Sequence, residues 1–253
     1  MQQQLCRVLE NAALTDAVWR MRLSADPAAV TAPGQFVNLK LPGLYLRRPI
    51  SLCDWDDSSL TLVYKVVGKG TDAMTRIRPG HSLDALVGLG NGYDLTKSGD
   101  APLLIGGGVG IPPLYGLCKA LLQDGKRPTV ILGFNTSAEI FYEQEFRALG
   151  VPVHITTVDG SCGVKGFVTD VMKDLTYTYF YTCGPGPMFR AVEKTAATSG
   201  QYSFEERMGC GFGACMGCSI ETKLGPRRVC MRGHSRANHS VGGGRQKKAA
   251  RRR

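Results

Sequence analysis

The stretch Cys210-Gly-Phe-Gly-Ala-Cys215-Met-Gly-Cys218, followed by Cys230, determines how this 253-residue chain is organised. Four of the nine cysteines lie in it, with the spacing Cys-x4-Cys-x2-Cys-x11-Cys. This spacing is typical of plant-type [2Fe–2S] sites, in which four thiolates hold two irons. Three thiolates must converge from one tight loop, and the interspersed glycines let such a loop curl closely. The sequence therefore predicts an iron–sulfur site whose ligands are Cys210, Cys215, Cys218 and Cys230.

Two other uses of clustered cysteines have to be weighed. A structural zinc site also takes four cysteines, usually as two short pairs, whereas here the segment offers one short pair and leaves Cys230 without a near partner. Disulfides need an oxidising compartment, and an odd count of cysteines argues against a closed disulfide framework. The iron–sulfur site is favoured, and zinc is the main remaining alternative.

The composition is that of a globular protein with room for two domains. Hydrophobic residues make up 43% of the chain, and its first residues lack the basic and apolar segments of a secretory signal. The apolar run 103–122 is interrupted by glycines and by Pro112 and Pro113, so we expect a buried strand and helix there rather than a membrane span. A reducing, cytoplasmic location is therefore expected.

The net charge of +10 comes mostly from the end of the chain. Residues 231–253 carry eight Lys or Arg and no acidic residue, which leaves +2 for the rest. Because this end has no hydrophobic period, residues 232–253 are predicted to be a disordered, solvated tail. Binding of nucleic acid by this tail is the less favoured alternative.

Residues 1–98 are predicted to form a small antiparallel β-barrel. The segments 35–41 and 59–66 alternate apolar and polar residues, and breakers such as Pro33-Gly34 and Pro79-Gly80 separate the short strands. A short helix is expected after Thr71.

Two segments of the predicted barrel could bind phosphate. Arg48-Pro49-Ile50-Ser51 can present a guanidinium and a hydroxyl to a pyrophosphate, although Arg-Pro pairs are also common at strand edges. The strand end Val63-Tyr64-Lys65 leads to a glycine loop that opens a helix at Gly70-Thr71, where free N–H groups bind phosphate. An ordinary turn with Thr71 as N-cap is the alternative for the second segment.

Residues 99–203 are predicted to form a parallel sheet with crossover helices, because strand-like and helical runs alternate there. The strand-like runs lie at 102–105, 128–132, 153–158 and 179–182, and the helical runs near 138–149, 166–174 and 187–198. The turn Gly106-Gly107-Gly108-Val-Gly110 follows the first strand, where the pyrophosphate of a nucleotide would lie. It does not match G-x-G-x-x-G, and no acidic residue directly follows the next strand, so the ordinary dinucleotide fingerprint is weak.

Together these segments resemble the ferredoxin–NAD(P) reductase superfamily. The resemblance rests on the Arg48–Ser51 strand, the glycine turn and Cys183-Gly-Pro-Gly-Pro-Met188. With the cysteine motif added, the chain is most similar, from about residue 3 to 230, to the electron-transfer subunits of dihydroorotate dehydrogenase B. The implied fold is multidomain α/β plus all-β. It comprises an FAD-binding antiparallel β-barrel (1–98), a parallel α/β NAD-binding domain (99–203) and a small [2Fe–2S] module (204–231).

The resemblance also implies where the cofactors bind. FAD would be lined by Arg48, Pro49, Ile50, Ser51, Val63, Tyr64, Lys65, Gly70 and Thr71. NAD would be held by Gly106, Gly107, Gly108, Gly110, Cys183 and Gly184, with Cys183 and Gly184 near the nicotinamide, although a buried thiol is the ordinary reading of Cys183. Because a nicotinamide exchanges two electrons at once and a cluster exchanges one, the flavin must lie between them. The protein then positions and tunes its cofactors, and no general acid or base is named.

The implied function is that of an NAD-linked electron relay in pyrimidine biosynthesis. The partner would be an FMN-containing dihydroorotate dehydrogenase subunit, in a heterotetramer with two copies of each chain. Two alternatives stay open. One is the flavoprotein subunit of an NAD(P)H–ferredoxin oxidoreductase or of a related sulfide or hydrogenase complex. The other is a non-enzymatic, zinc-stabilised scaffold that binds nucleic acid.

Overall fold

The computed structural model describes residues 1–222, 225–232 and 234–236. They form an antiparallel barrel, a parallel α/β domain and a small C-terminal module, which confirms the predicted fold class. Within these residues, no helix combines the length and the apolarity that crossing a membrane requires.

The barrel has six strands and one short helix. The strands are β1 (Gln2–Ala13), β2 (Val18–Ser24), β3 (Phe36–Leu39), β4 (Arg48–Trp55), β5 (Ser59–Lys65) and β6 (Ser82–Leu89), and helix α1 (Lys69–Thr75) follows β5. The strands close in the order β1-β2-β5-β4-β3-β6. In β6, Leu83, Ala85 and Val87 are buried while the residues between them face outward. This period of two is what one-sided burial of a strand requires.

The α/β domain has a sheet of six parallel strands covered by four helices. The strands are β7 (Leu103–Gly107), β8 (Thr129–Phe134), β9 (Val153–Thr157), β10 (Val164–Lys165), β11 (Phe180–Cys183) and β12 (Gly200–Ser203). The helices are α2 (Pro112–Gln123), α3 (Glu143–Ala148), α4 (Val168–Met172) and α5 (Gly186–Thr195). Helix α3 is shorter than the predicted run because Tyr142 adopts a φ of 64°, a left-handed conformation that a right-handed helix cannot contain.

The strand order creates a crevice at the start of the domain. The parallel strands lie in the order β10-β9-β8-β7-β11-β12, so the chain builds outward from β7 on one side and then returns to its other side. The carboxyl ends of β7 and β11 therefore flank a topological switch point, where open α/β sheets bind their ligands. The register places Cys183 of β11 opposite Gly106 of β7.

Helix α2 packs directly on strand β4 and joins the two domains. A Cβ atom on Gly116 would lie 2.9 Å from the Cys53 carbonyl oxygen, so only glycine permits this approach. The Lys119 ammonium lies 2.7 and 2.8 Å from the two Asp54 carboxylate oxygens. One hydrophobic core runs across the contact, since Val18, Cys53 and Val63 of the barrel share it with apolar residues of α2.

The C-terminal module contains β13 (Ser219–Thr222), β14 (Gly225–Arg228), α6 (Val229–Arg232) and β15 (His234–Arg236). Strands β13 and β14 form an antiparallel hairpin, and β15 pairs antiparallel with β12 as a seventh strand of the sheet. Residues 234–236 belong to the segment predicted to be disordered, and the structure instead gives them this pairing with the sheet edge. The remainder of the predicted tail, residues 233 and 237–253, lies outside the described residues.

Candidate functional site

Two neighbouring arginines at the start of β4 have different surroundings. Arg47 donates to both carboxylate oxygens of Asp84, at 2.9 and 3.0 Å, and to the backbone carbonyls of Asn38 and Asp84. Arg48 donates only to the carbonyls of Leu46 and Arg47 and forms no ion pair with any described residue. The contacts of Arg47 therefore stabilise the barrel, whereas the guanidinium of Arg48 has no charged partner among the described residues and remains available to bind an anion.

The structure brings Gly70 against Arg48. The Arg48 side chain occupies the space that a Cβ atom on Gly70 would take, at the start of α1. Pro49, Ile50 and Ser51 continue β4 and are half-buried, and Ser51 pairs with Phe36 of β3. The predicted guanidinium, hydroxyl and glycine loop therefore lie on adjoining segments of one barrel wall.

Other residues predicted to line the flavin have structural contacts. The Tyr64 hydroxyl donates to Asn11 at 3.0 Å inside the barrel core, so its side chain supports the barrel. Val63 is buried at the contact with the α/β domain. The Thr71 hydroxyl accepts from the N–H groups of Val67 and Gly68. It does so from the third position of α1, whose N-cap is Gly68, so Thr71 is not the N-cap that the alternative expected. Lys65 is half-buried and forms no ion pair within the described part of the chain.

The glycine turn packs tightly against the end of β11. A Cβ atom on Gly110 would lie 2.6 Å from the Gly184 nitrogen and would also collide with the Cys183 carbonyl. One on Gly107 would meet the Met188 sulfur at 2.7 Å. Gly108 has a φ of 51° and open space at its Cβ position, so here the backbone is accessible to a ligand. Gly107, Gly108 and Gly184 thus form a partly exposed surface at the switch point, with Gly106, Gly110 and Cys183 buried beneath it.

The Cys183 side chain is buried beneath this surface. Burial raises the pKa of the Cys183 thiol, and the nearby Glu205 carboxylate raises it further. A thiol that stays protonated is a poor nucleophile. Its buried position therefore suits packing beneath the glycine turn and not covalent chemistry.

One acidic residue beyond the second strand of the domain was missed at the sequence level. Glu139 accepts from the Asn135 N–H at 3.2 Å and from the Asn135 Nδ2 at 2.9 Å, just after β8. No acidic residue directly follows β8 in the sequence. The 3-10 turn at 137–139 folds the Glu139 carboxylate back towards the end of that strand.

The four predicted cysteine ligands lie together as two pairs. The Cys215 N–H donates to the Cys210 sulfur at 3.4 Å, the Cys230 N–H donates to the Cys218 sulfur at 3.5 Å, and the two thiols of each pair are in contact. Cys218 and Cys230 are buried, whereas Cys210 and Cys215 are half-buried. One pair is therefore deep in the module and the other lies near the surface.

The donor set fits a two-iron cluster better than a single metal ion. Tetrahedral zinc needs all four thiolates around one centre, whereas two irons with four thiolates take two each. Burial opposes ionisation of Cys210, but N–H groups of Cys215, Phe212 and Ala214 outweigh it and lower the pKa of the thiol to about 6. A thiolate at neutral pH is the form that binds metal.

The module rests on the outside of the barrel. Phe36 and Leu89 of the barrel pack with Cys218, Val229 and Cys230 in one apolar cluster. Asn38 of β3 is 1% exposed and donates to the Cys210 carbonyl oxygen at 3.1 Å. The Arg228 guanidinium donates to the Gly213 carbonyl inside the cysteine loop. Sequence reasoning missed Phe36 and Asn38, because a polar residue on the outward face is ordinary in a strand that alternates apolar and polar residues.

The comparisons with known proteins agree with this arrangement. A family described as "Oxidoreductase NAD-binding domain" matches residues 104–194, and one described as "Iron-sulfur cluster binding domain of dihydroorotate dehydrogenase B" matches residues 205–233. The electron transfer subunit of dihydroorotate dehydrogenase B (NAD(+)) from Fusobacterium nucleatum subsp. nucleatum is 40% identical over 245 residues, covering 90% of this chain and 94% of that relative. The subunit of the same name from Geobacillus sp. is 40% identical over 247 residues, covering 92% and 96%.

A solved structure is also similar over nearly the whole chain. An NADH-dependent reduced ferredoxin–NADP oxidoreductase, described for flavin-based electron bifurcation, superposes with a TM-score of 0.84 at 26% identity. The match covers 94% of this chain and 90% of the other.

Fold and site together define an NAD-linked flavoprotein oxidoreductase that carries an iron–sulfur module. Within that class, the chain belongs to the family of dihydroorotate dehydrogenase B electron transfer subunits. The predicted family, fold class and cofactors are confirmed, and a role in pyrimidine-related electron transfer follows from the family. Membership of an oxidoreductase family leaves no basis for the non-enzymatic zinc scaffold.

Proposed function

We propose that this chain carries electrons between NAD and an FMN-containing partner subunit that oxidises dihydroorotate to orotate, in the de novo synthesis of UMP. The observation that carries the proposal is the packing of the cysteine loop on the same barrel whose strand β4 presents the unpaired Arg48. That strand also contacts α2, the helix that follows the glycine turn. The nicotinamide, flavin and cluster sites therefore form a series with the barrel in the middle.

The residues of the chain bind and orient the cofactors in this proposal. Arg48 neutralises the FAD pyrophosphate, and Gly70 gives its side chain room. The backbone of the glycine turn approaches the NAD pyrophosphate, and the close contact of Gly110 with Cys183 and Gly184 shapes the nicotinamide end of the site. Cys210 and Cys215 hold one iron and Cys218 and Cys230 the other. When bound, FAD converts a two-electron hydride exchange into two one-electron exchanges with the cluster, which a nicotinamide cannot do directly.

The proposed assembly is a heterotetramer with two copies of this chain and two of the partner. The half-buried cysteine pair lies beside the exposed side chains of Phe212 and Met216, which gives the cluster an apolar surface through which to meet the partner. We place the protein in the cytoplasm, because its nine cysteines are free and iron–sulfur thiolates need a reducing compartment.

A second candidate is the flavoprotein subunit of an NAD(P)H–ferredoxin oxidoreductase. The solved relative at 26% identity and a TM-score of 0.84 favours it, since that protein is named for this activity. The two candidates share the flavin, the nicotinamide and the cluster and differ only in the partner.

The test is co-expression with a dihydroorotate-oxidising, FMN-containing subunit. The proposal expects a stable complex that reduces NAD with dihydroorotate as electron donor, and iron, acid-labile sulfide and FAD in the purified chain. Reduced ferredoxin is the competing donor. Turnover with ferredoxin and none with dihydroorotate would support the second candidate, and zinc without sulfide would refute the cluster in both.

A further inference from the structure

Strand β3 is buried on both faces, unlike an ordinary barrel strand. Val37 and Leu39 face the barrel core, as the period of two requires. On the other face, Phe36 packs against Cys218 and Cys230, and Asn38 lies against the cysteine loop. The iron–sulfur module therefore packs against the outward face of β3.

Asn38 is the polar residue of β3 at this packing surface. Its Nδ2 donates to the Cys210 carbonyl oxygen at 3.1 Å, while its Oδ1 is buried and finds no partner among the described residues. A buried polar atom without a partner is costly and calls for an explanation. A leucine of similar size would fill the same space without that cost, so packing alone does not account for an asparagine here.

The register connects Asn38 to the proposed flavin strand. Asn38 pairs with Pro49 of β4, between the pairs formed by Arg48 and Ile50. The Arg47 guanidinium donates to the Asn38 carbonyl at 3.2 Å and so fixes the backbone of β3 at this point. On the other side, a Cβ atom on Gly211 would lie 2.6 Å from Asn38 Nδ2, so the cysteine loop approaches the amide closely only because residue 211 is glycine.

We propose that Asn38 is a positioning residue for the iron–sulfur cluster, which anchors the Cys210 end of the loop to the barrel wall that carries Arg48–Ser51. This rests on the proposed function, because it assigns the flavin to that wall. Through this hydrogen bond Asn38 slows the loss of the cluster from the protein and speeds electron transfer between the cluster and the flavin.

The experiment compares Asn38→Leu with Asn38→Asp and the control Gln35→Met. Asn38→Leu keeps the size and removes the donor. Asn38→Asp keeps the shape and, at pH 8, places a carboxylate against the Cys210 carbonyl and near the cluster. Gln35 is also a buried amide beside β3, but its hydrogen bonds to Thr31, Ala32 and Gly90 lie within the barrel. Its replacement lowers stability without touching the cysteine loop.

Five quantities are measured on the purified, FAD-loaded and cluster-loaded chain. Asn38→Leu is expected to lose iron to a chelator about fivefold faster, the factor that one neutral hydrogen bond supplies. It is also expected to alter the electron paramagnetic resonance spectrum of the reduced cluster and to slow cluster reduction after rapid mixing with NADH. Asn38→Asp shifts the cluster midpoint potential downward, and flavin bleaching by NADH stays at the wild-type rate in both variants.

Wild-type values of iron loss, spectrum and cluster reduction in Asn38→Leu would overturn the proposal, as would equal changes in Gln35→Met. If Asn38→Leu fails to fold, the cluster midpoint potential of Asn38→Asp tests the proposal instead. A potential equal to that of the wild type would contradict the proposal. A wild-type protein whose flavin is not reduced by NADH would instead refute the proposed function, which separates the two failures.

Discussion

Replacing Arg48 with alanine is expected to release FAD while the barrel stays folded. In the structure this guanidinium donates only to two backbone carbonyls and forms no ion pair with a described residue. Its removal should therefore cost the apoprotein less than about 1 kcal/mol, the usual net value of one hydrogen bond. A charge-assisted bond to a phosphate oxygen is worth about 1.5–3 kcal/mol. At 1.36 kcal/mol per tenfold, FAD should bind roughly 10- to 150-fold more weakly.

The adjacent Arg47 supplies a matched control with the opposite expectation. Arg47→Ala removes two contacts to Asp84 and two to backbone carbonyls, and it leaves a half-buried carboxylate without its cation. The free energy of unfolding should fall by about 1–3 kcal/mol, with any loss of flavin following the loss of folded protein.

Two measurements separate the variants. Equilibrium dialysis followed by flavin fluorescence gives the FAD dissociation constant, and urea unfolding of the apoprotein followed by circular dichroism gives the stability. The reasoning fails if Arg48→Ala retains FAD as tightly as the wild type, or if it destabilises the apoprotein as much as Arg47→Ala does.

Three further variants, the last with a matched control, test other links in the electron path. Cys218→Ser should block transfer to the partner while NADH still bleaches the flavin in rapid mixing, because serine oxygen holds an iron–sulfur cluster poorly; loss of both reactions with FAD still bound would contradict a downstream cluster. Gly110→Ala should raise the KM for NADH in steady-state assays without loss of FAD, because the new Cβ would lie 2.6 Å from the Gly184 nitrogen; an unchanged KM would remove this turn from the NAD site. Lys119→Met should slow flavin reduction at saturating NADH, because it breaks the ion pair that joins α2 to Asp54 of the barrel. The control Lys126→Met breaks an ion pair with Asp100 inside the α/β domain and should leave that rate unchanged. Equal effects of the two variants would show that the contact between the domains has no role in flavin reduction.

Local patterns in the sequence identified most of the individual parts. The four cysteines could be named as ligands because their spacing is itself a geometric constraint on the loop. The glycine turn after β7 could be placed because a strand, a run of glycines and a proline-started helix are all signals over a few residues. The period of two in 59–66 likewise predicted β5 to within a residue of its observed bounds.

The contacts between distant segments could not be obtained in this way. Arg47 and Arg48 are equivalent in the sequence, and only the fold brings Asp84 to the first and Gly70 to the second. The packing of the cysteine loop on Phe36 and Asn38 depends on the pairing of β3 with β4 and β6, which joins residues far apart in the chain. The return of residues 234–236 to the edge of the sheet was missed because a short basic segment carries no hydrophobic period.

The sequence by itself therefore identified the candidate iron ligands, the start of a candidate nucleotide turn and the family that the chain resembles, because each of these depends on the spacing of a few neighbouring residues. Only the tertiary structure decided which arginine forms no ion pair with a described residue, which strand the cysteine loop packs against and how the helix after the glycine turn reaches β4. The physical reason is that burial, hydrogen bonding and pairing of charges depend on what the folded chain brings within about 4 Å of a group. Such contacts are a property of the register and packing of whole domains.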